Sequence, residues 1–171
     1  GARARIRARE GARVALELRE LICRYGLAAE EILPAANVIR ESSQAPESSP
    51  PELRTARLAV LGGYTTHPVV AAARCALLAE GVLASVYEAP YNAYFQEAFD
   101  PKSGLHEFRP EYVLVAVASC NVRRWPAASA VAGSVEEALE LEVADYRQFW
   151  SALGQMGVGA IYQHTFETPV A

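Results

Sequence analysis

The stretch from residue 56 to 71 constrains the fold of this chain most. It reads Ala-Arg-Leu-Ala-Val-Leu-Gly-Gly-Tyr-Thr-Thr-His-Pro-Val-Val-Ala, an apolar run that enters a Gly-Gly turn, then a polar cluster, then a second apolar run. This pattern predicts a buried strand, a tight turn and the start of a helix. Open parallel sheets bind ligands at the carboxyl ends of such strands, and a helix N-terminus favours anions. We therefore expect the functional site here, although a Gly-Gly pair taken alone also fits a plain turn.

Strands and helices alternate after this point. Apolar runs predict strands at residues 58–61, 85–87, 112–118 and 159–163, and helical spacing predicts helices at 69–80 and 134–153. Ser134 followed by Glu137 is typical of a capping box at the start of the last helix. Because β-α-β order implies a parallel sheet, the predicted fold class is α/β, a three-layer αβα sandwich with a flavodoxin- or SGNH-like parallel sheet.

The first 55 residues differ in composition from the rest. Apolar residues at helical spacing, including Val14, Leu18, Leu21 and Ile22, predict a helix over about 2–24 with one buried stripe, and a second helix over 28–41. A polar, proline- and serine-rich stretch follows and is typical of a linker. The predicted organisation is an N-terminal helical segment at 1–41, a linker at 42–55 and an α/β domain at 56–171.

Charge and hydropathy exclude some classes of partner. The chain is 51% hydrophobic and 21% charged, and no apolar run reaches the roughly 18 residues that a membrane helix needs. Residues 1–24 carry seven arginines and three glutamates, so the remainder of this chain of net charge −4 balances at −8. One short basic segment without interleaved aromatics does not predict a nucleic-acid groove. We expect no membrane or nucleic-acid partner, and a cytoplasmic location, because the N-terminus lacks the apolar core of a secretory signal.

Three cysteines fit neither a disulfide framework nor a metal site of the C-x-x-C type. Cys23 and Cys75 lie in predicted helices and are interpreted as packing residues. Cys120 follows the third predicted strand, where its thiolate would be available if Arg123 or Arg124 lowered the thiol pKa. The alternative is that Cys120 is a small buried hydrophobe.

Polar residues follow three of the predicted strands. In a parallel sheet these strand ends share one edge, so the residues are expected to line one cleft. Hydroxyls act as nucleophiles or donors, histidine as a base, and an asparagine amide stabilises an oxyanion. His67 has helix capping as its alternative role, and His106 is a weaker candidate than His67 or His164. The candidate catalytic residues are Thr65, Thr66, His67, Cys120 and Asn121, and the candidate substrate-binding residues are Gly62, Gly63, Tyr64, Ser119, Gln163 and His164. No metal ligands are predicted.

Four segments resemble the N-terminal domain of FkbH-like proteins, which has an SGNH-hydrolase-like α/β fold. They are Leu-Ala-Val-Leu-Gly-Gly-Tyr-Thr-Thr-His-Pro, Val-Tyr-Glu-Ala-Pro-Tyr-Asn-Ala-Tyr-Phe-Gln-Glu, Phe-Asp-Pro-Lys-Ser-Gly-Leu-His-Glu-Phe-Arg-Pro-Glu-Tyr-Val-Leu-Val-Ala and Ile-Tyr-Gln-His-Thr-Phe. The turn Asp-Pro-x-Ser-Gly-Leu is the most specific of these features. The resemblance covers residues 56–118 and, more loosely, 119–169.

The resemblance implies a function in polyketide biosynthesis. FkbH-like proteins join this domain to a haloacid-dehalogenase-type phosphatase domain, for which Mg is expected. They take a three-carbon unit from a glycolytic bisphosphate and load a glyceryl or lactyl group onto an acyl carrier protein. The implied partners are therefore the acyl carrier protein and a C-terminal phosphatase domain of the same parent protein. No cofactor is expected in this chain itself.

The chain departs from these families in three respects. No D-x-D-x-T phosphatase motif occurs in the 171 residues, and Gly62-Gly63-Tyr64 stands where SGNH hydrolases have Gly-Asp-Ser. The late Asp-x-x-His pair of those hydrolases is also missing, while Asn121 matches their oxyanion-hole asparagine. We expect no ester or phosphate hydrolysis from this chain alone. Two hypotheses stay open, namely a part of a glyceryl transferase and a carrier-docking or scaffold module with a degraded hydrolase site.

Overall fold

A computed structural model describes residues 2–43, 51–127 and 129–166, with side chains from residue 10 onward. Six helices, four strands and one 3₁₀ turn lie in these ranges. In chain order they are α1 (Ala2–Tyr25), α2 (Ala29–Ser43), β1 (Arg54–Gly62), α3 (His67–Ala79), β2 (Val82–Glu88), α4 (Tyr94–Phe99), α5 (Gly104–Phe108), β3 (Tyr112–Ala116), the 3₁₀ turn (Ser119–Asn121), α6 (Ala132–Gln155) and β4 (Ala160–Gln163).

The four strands form one sheet in the order β2-β1-β3-β4. All strands are parallel and helices flank the sheet, which confirms the predicted α/β class. The pairing of β3 with β4 runs from Tyr112 opposite Ala160 to Val115 opposite Gln163. This order matches the first four strands of the flavodoxin-like arrangement. The chain therefore reverses direction across the sheet between β1 and β3.

The predicted elements are present, but some of their boundaries differ. Strand β1 extends from Arg54 rather than residue 58, because its first residues are largely exposed and carry no apolar signal. The predicted capping box at Ser134 is wrong. Helix α6 begins two residues earlier after an N-cap at Val131, and the Ser134 hydroxyl donates to the Val131 carbonyl oxygen at 2.8 Å. Ser134 therefore lies inside the first turn of the helix.

Contacts divide the chain into two compact units. The first unit comprises residues up to Leu58 together with Thr66–Glu88, and the second comprises Ala59–Thr65 and the residues from Ala89 onward. The predicted linker at 42–55 lies partly outside the described residues, since residues 44–50 are not described, while its ends belong to α2 and β1. The domain boundaries drawn from the sequence stay a prediction.

The first unit has an apolar core to which α1, α2 and α3 contribute. Ala15, Ile39 and Leu78 are fully buried in it, and the Arg19 side chain donates to the Ala79 carbonyl oxygen at 3.2 Å. The N-terminal helices thus pack against α3. The predicted stripe of α1 is only partly right, because Leu21 is 54% exposed. Leu18 and Ile22 of that stripe are partly buried against the core.

The second unit is built around aromatic side chains. Tyr94 packs edge-on against Phe149 with ring centroids 5.9 Å apart, and Phe95 contacts Tyr146 and Phe149. The Asp-Pro-x-Ser-Gly-Leu turn at residues 100–105 is a packed structural element of this unit. The buried Ser103 hydroxyl donates to the carbonyl oxygen of Glu97 at 2.7 Å and caps α5. This turn therefore holds α4 and α5 together.

Candidate functional site

The segments after β1 and β3 meet at the point where the strand order reverses, and both belong to the second unit there. Ligands of open α/β sheets bind in the crevice at this point. The Gly63 N–H donates to the Ala116 carbonyl oxygen at 2.9 Å, and the Asn121 amide nitrogen donates to the Gly63 carbonyl oxygen at 2.8 Å. A Cβ added at Gly63 would lie 2.3 Å from Cγ of Asn121. Gly63 is therefore required for the close approach of these segments.

The Asn121 carboxamide is held at both ends. Its oxygen accepts the Ala118 N–H at 2.8 Å, while its nitrogen bonds Gly63. An amide nitrogen carries two N–H groups, so one of them is used to brace the backbone. An oxyanion-hole role would use the other. In this geometry Asn121 is first of all a clasp between the two strand ends.

A second contact joins the β1 end to the β4 end within the same unit. The Tyr64 hydroxyl lies 3.2 Å from Nε2 of His164, and Nδ1 of His164 lies 3.4 Å from the Thr165 carbonyl oxygen. Because a carbonyl oxygen only accepts, the tautomer that satisfies both contacts has its proton on Nδ1 and accepts the Tyr64 hydroxyl at Nε2. These residues line a cleft of about 290 Å³ together with Val117 and Ala118. The Tyr64 hydroxyl thus contacts one of the two ring nitrogens of His164.

A third cluster lies in the first unit, around Glu88 at the end of β2. The buried Thr66 hydroxyl donates to Oε1 of Glu88 at 2.7 Å, and Nδ1 of His67 lies 3.5 Å from Oε2. Thr66 is the N-cap of α3, yet its side chain makes no capping bond and turns to the carboxylate instead. Pro68 in the first turn has no N–H to satisfy, which lowers the need for a cap.

This cluster differs from a hydrolase triad in the order of its contacts. A triad aligns the nucleophile, the histidine and the carboxylate, so that the histidine removes the proton of the hydroxyl. Here the Glu88 carboxylate contacts both the Thr66 hydroxyl and the His67 ring. The arrangement can hold a polar ligand group or orient His67, but it does not activate Thr66 through an imidazole.

Sequence reasoning missed Glu88. It follows the second strand, and the strand-end argument that selected the other candidates applies to it equally. The sequence predicts this strand only to residue 87, and Glu88 stands beside Ala-Pro, which indicates a turn. Its position as the last residue of β2 is the signal that identifies it.

Cys120 is exposed, so the interpretation as a buried hydrophobe does not describe it. The two arginines expected to lower its pKa have other partners. Arg123 pairs with Asp145 and stacks on Phe95 at 4.2 Å, and Arg124 pairs with Glu142 and Asp145. The hydrogen bond to Asp145 also raises the pKa of Arg124. The arginines therefore stabilise the segment after β3 against α6.

The remaining candidates lie apart from these contacts. The Gly62 carbonyl oxygen accepts the Asn92 N–H at 3.0 Å, Thr65 is exposed, and the Gln163 side chain accepts from the Trp150 indole at 2.9 Å. The Ser119 carbonyl oxygen accepts from Trp125. His106 contacts the Ser103 hydroxyl and belongs to the structural turn. The structure thus brings together Gly63 with Asn121, Tyr64 with His164, and Thr66 with His67.

Among the residues that the structure describes, no group of three or more His, Cys, Asp or Glu is placed to hold a metal ion. None of the described helices is long and apolar enough to cross a membrane.

Comparison with known proteins gives one structural likeness. No family model matches the sequence, and no curated protein matches it. The fold is similar to the crystal structure of the N-terminal part of the protein BF1531 from Bacteroides fragilis, which contains a phosphatase domain and is complexed with Mg, with a TM-score of 0.61 and 17% identity. The match covers 83% of this chain and 34% of that one, so the chain spans about a third of its length. At this identity the likeness concerns the fold.

Proposed function

We propose that this chain is the amino-terminal α/β part of an FkbH-like enzyme, which loads a glyceryl or lactyl unit from a glycolytic bisphosphate onto an acyl carrier protein. The observation that carries the proposal is the fold likeness to a longer protein part that contains a phosphatase domain. FkbH-like proteins have this domain combination. The four sequence segments that resemble FkbH-like proteins support the same assignment. They lie in and beside β1, α4, β3 and β4.

The position of the strand-order reversal supports a ligand site in this part. Gly63 lets the backbone after β1 approach Asn121, and a cleft opens beside Tyr64 and His164. In the proposed enzyme this cleft receives the three-carbon unit or the pantetheine arm of the carrier. The phosphatase step, with its Mg, belongs to the other domain of the parent protein.

A second candidate is a carrier-docking or scaffold module without chemistry of its own. Two observations favour it, namely the Tyr64 hydroxyl on the imidazole nitrogen of His164 and the use of the Asn121 amide as a backbone clasp. The candidate groups His164 and Asn121 are then structural. The overall acidic balance of the chain outside residues 1–24 opposes docking of an acidic carrier, because like charges repel.

Binding of the carrier protein separates the two candidates. The cognate carrier is titrated into this chain by isothermal calorimetry, once with and once without its phosphopantetheine arm. The first candidate predicts tighter binding of the carrier that has the arm, and weakened binding when Tyr64→Ala enlarges the cleft. The scaffold candidate predicts equal binding of both forms. Absence of binding by either form contradicts the first candidate and the docking form of the second, and agrees with a scaffold that does not contact the carrier.

Hydrolysis assays complete the test. We expect no turnover of a nitrophenyl ester or a nitrophenyl phosphate by the purified chain above that of a Thr65→Ala, Thr66→Ala variant. Clear turnover that the variant loses would show that the hydroxyls after β1 are catalytic and that the site is not degraded.

A further inference from the structure

A larger cavity lies in the second unit, on the side of α6 near the end of β4. It holds about 470 Å³ and is bordered by the segment after β3, by α6 and by Phe166. Its walls are mainly apolar, and several of the apolar side chains there are exposed although they converge on one concave surface. The apolar lining residues are Val122, Trp125, Pro126, Val135, Leu139, Val143, Trp150 and Phe166.

The charged side chains at the wall are paired within the protein, whereas the buried Tyr146 hydroxyl in the lining has no well-formed hydrogen bond within the described residues. Arg124 pairs with Glu142, and the Gln163 oxygen accepts the Trp150 indole N–H. The second indole, Trp125, donates to the Ser119 carbonyl oxygen. A charged ligand entering the cavity would meet no free countercharge and would lose its hydration. The wall therefore selects against ions and favours uncharged, apolar molecules.

The volume fits a small molecule. Ligand pockets in proteins hold about 300–1,000 Å³ and are lined by aromatic and aliphatic side chains with a few polar groups. The flat faces of two indoles and a phenyl ring suit a planar ring system or a short hydrocarbon. We propose that this cavity binds an uncharged, apolar small molecule of one to three rings or equivalent chain length. This inference does not depend on the proposed carrier loading.

The two tryptophans of the chain both line the cavity, so its intrinsic fluorescence reports on occupancy. The experiment titrates the chain with the neutral dye phenylnaphthylamine and, as a matched probe, with anilinonaphthalene sulfonate, which has similar rings plus a charge. We expect saturable energy transfer from tryptophan to the neutral dye with one site per chain. The sulfonate should bind at least about tenfold more weakly than the neutral dye, because its charge would be unpaired in the cavity.

Two leucines of α6 provide a matched pair of variants. Leu139 lines the cavity and is 55% exposed, whereas Leu141 is 49% exposed and lies outside the lining. Leu139→Glu should weaken dye binding by at least about tenfold, since it puts a carboxylate at an apolar wall. Leu141→Glu should leave binding unchanged. Circular dichroism melts of both variants exclude unfolding, and Val143→Glu, at another exposed wall position, repeats the test.

The outcomes are decisive in both directions. The cavity is established as the site if the neutral dye binds saturably, if Leu139→Glu and Val143→Glu weaken that binding, and if Leu141→Glu does not. Absence of saturable binding, equal effects of the leucine variants, or tighter binding of the sulfonate overturns the proposal.

Discussion

Replacing Gly63 by alanine tests the clasp between β1 and β3. The new Cβ would lie 2.3–2.4 Å from the Asn121 carboxamide, far inside van der Waals contact, so Asn121 must leave its position. Its two hydrogen bonds are then lost or weakened, each worth about 0.5–1.5 kcal/mol. Overpacking of a buried position adds about 1–3 kcal/mol. We expect Gly63→Ala to lower the free energy of unfolding by about 2–6 kcal/mol, which corresponds to roughly 4–24 °C in Tm.

Urea denaturation followed by circular dichroism measures this change, and a double-mutant cycle tests its cause. In Asn121→Ala the obstructing carboxamide is gone, so Gly63→Ala should cost much less in that background. The two substitutions together should destabilise less than the sum of the single effects by about 0.5–3 kcal/mol. An additive cycle, or a Gly63→Ala protein within about 0.5 kcal/mol of wild type, would refute the reasoning.

Three other predictions follow from contacts of single side chains. Thr66→Val removes the hydroxyl bond to Glu88 and should cost about 0.5–1.5 kcal/mol in urea denaturation, while the exposed neighbour Thr65→Val should stay within about 0.5 kcal/mol; equal effects would contradict the bond. An alkylating reagent at neutral pH should label exposed Cys23 and Cys120 readily and Cys75 far more slowly, because burial raises the pKa of the Cys75 thiol. Faster labelling of Cys120 than of Cys23 would favour a reactive Cys120, and equal rates would favour a passive one. Burial likewise raises the pKa of Tyr146, so the folded state keeps this proton after the unfolded state loses it near pH ~10, and stability falls as pH rises above that value. Tyr146→Phe should reduce this alkaline loss, and a pH dependence unchanged in the variant would contradict it.

Tyr146→Phe is also informative at neutral pH. The Tyr146 hydroxyl is buried and makes no well-formed hydrogen bond within the described residues. Removing it should therefore leave stability unchanged or raise it slightly, which urea denaturation at neutral pH measures.

The sheet was predictable because its strands are marked by local apolar runs. Val113, Val115 and Ala116 of β3 are buried, and such runs between glycine and proline turns specify a strand without knowledge of its neighbours. The ends of elements were less accurate. The first residues of β1 and the start of α6 depend on backbone pairing and capping, which residue types there do not reveal.

The candidate site was predictable as a location but not as a set of contacts. Strand ends of a parallel sheet identify Gly63, Asn121 and His164 from the sequence. The clasp joins Asn121 to Gly63, which are 58 residues apart in the chain, so the sequence alone does not show that they meet. The pairing of Thr66 with Glu88 depends on where β2 ends. The arginines after β3 are close to Cys120 in the sequence, but they pair with carboxylates of α6, which lie about 20 residues further along the chain.

Loading of the carrier protein tests the central proposal most directly. The full-length parent protein is incubated with the glycolytic bisphosphate, Mg and the carrier that has its phosphopantetheine arm, and the intact mass of the carrier is followed. We predict a mass increase of one glyceryl or lactyl unit that hydroxylamine removes, as expected for a thioester. A carrier whose mass stays unchanged, while the phosphatase domain of the same protein releases phosphate, would contradict the proposal.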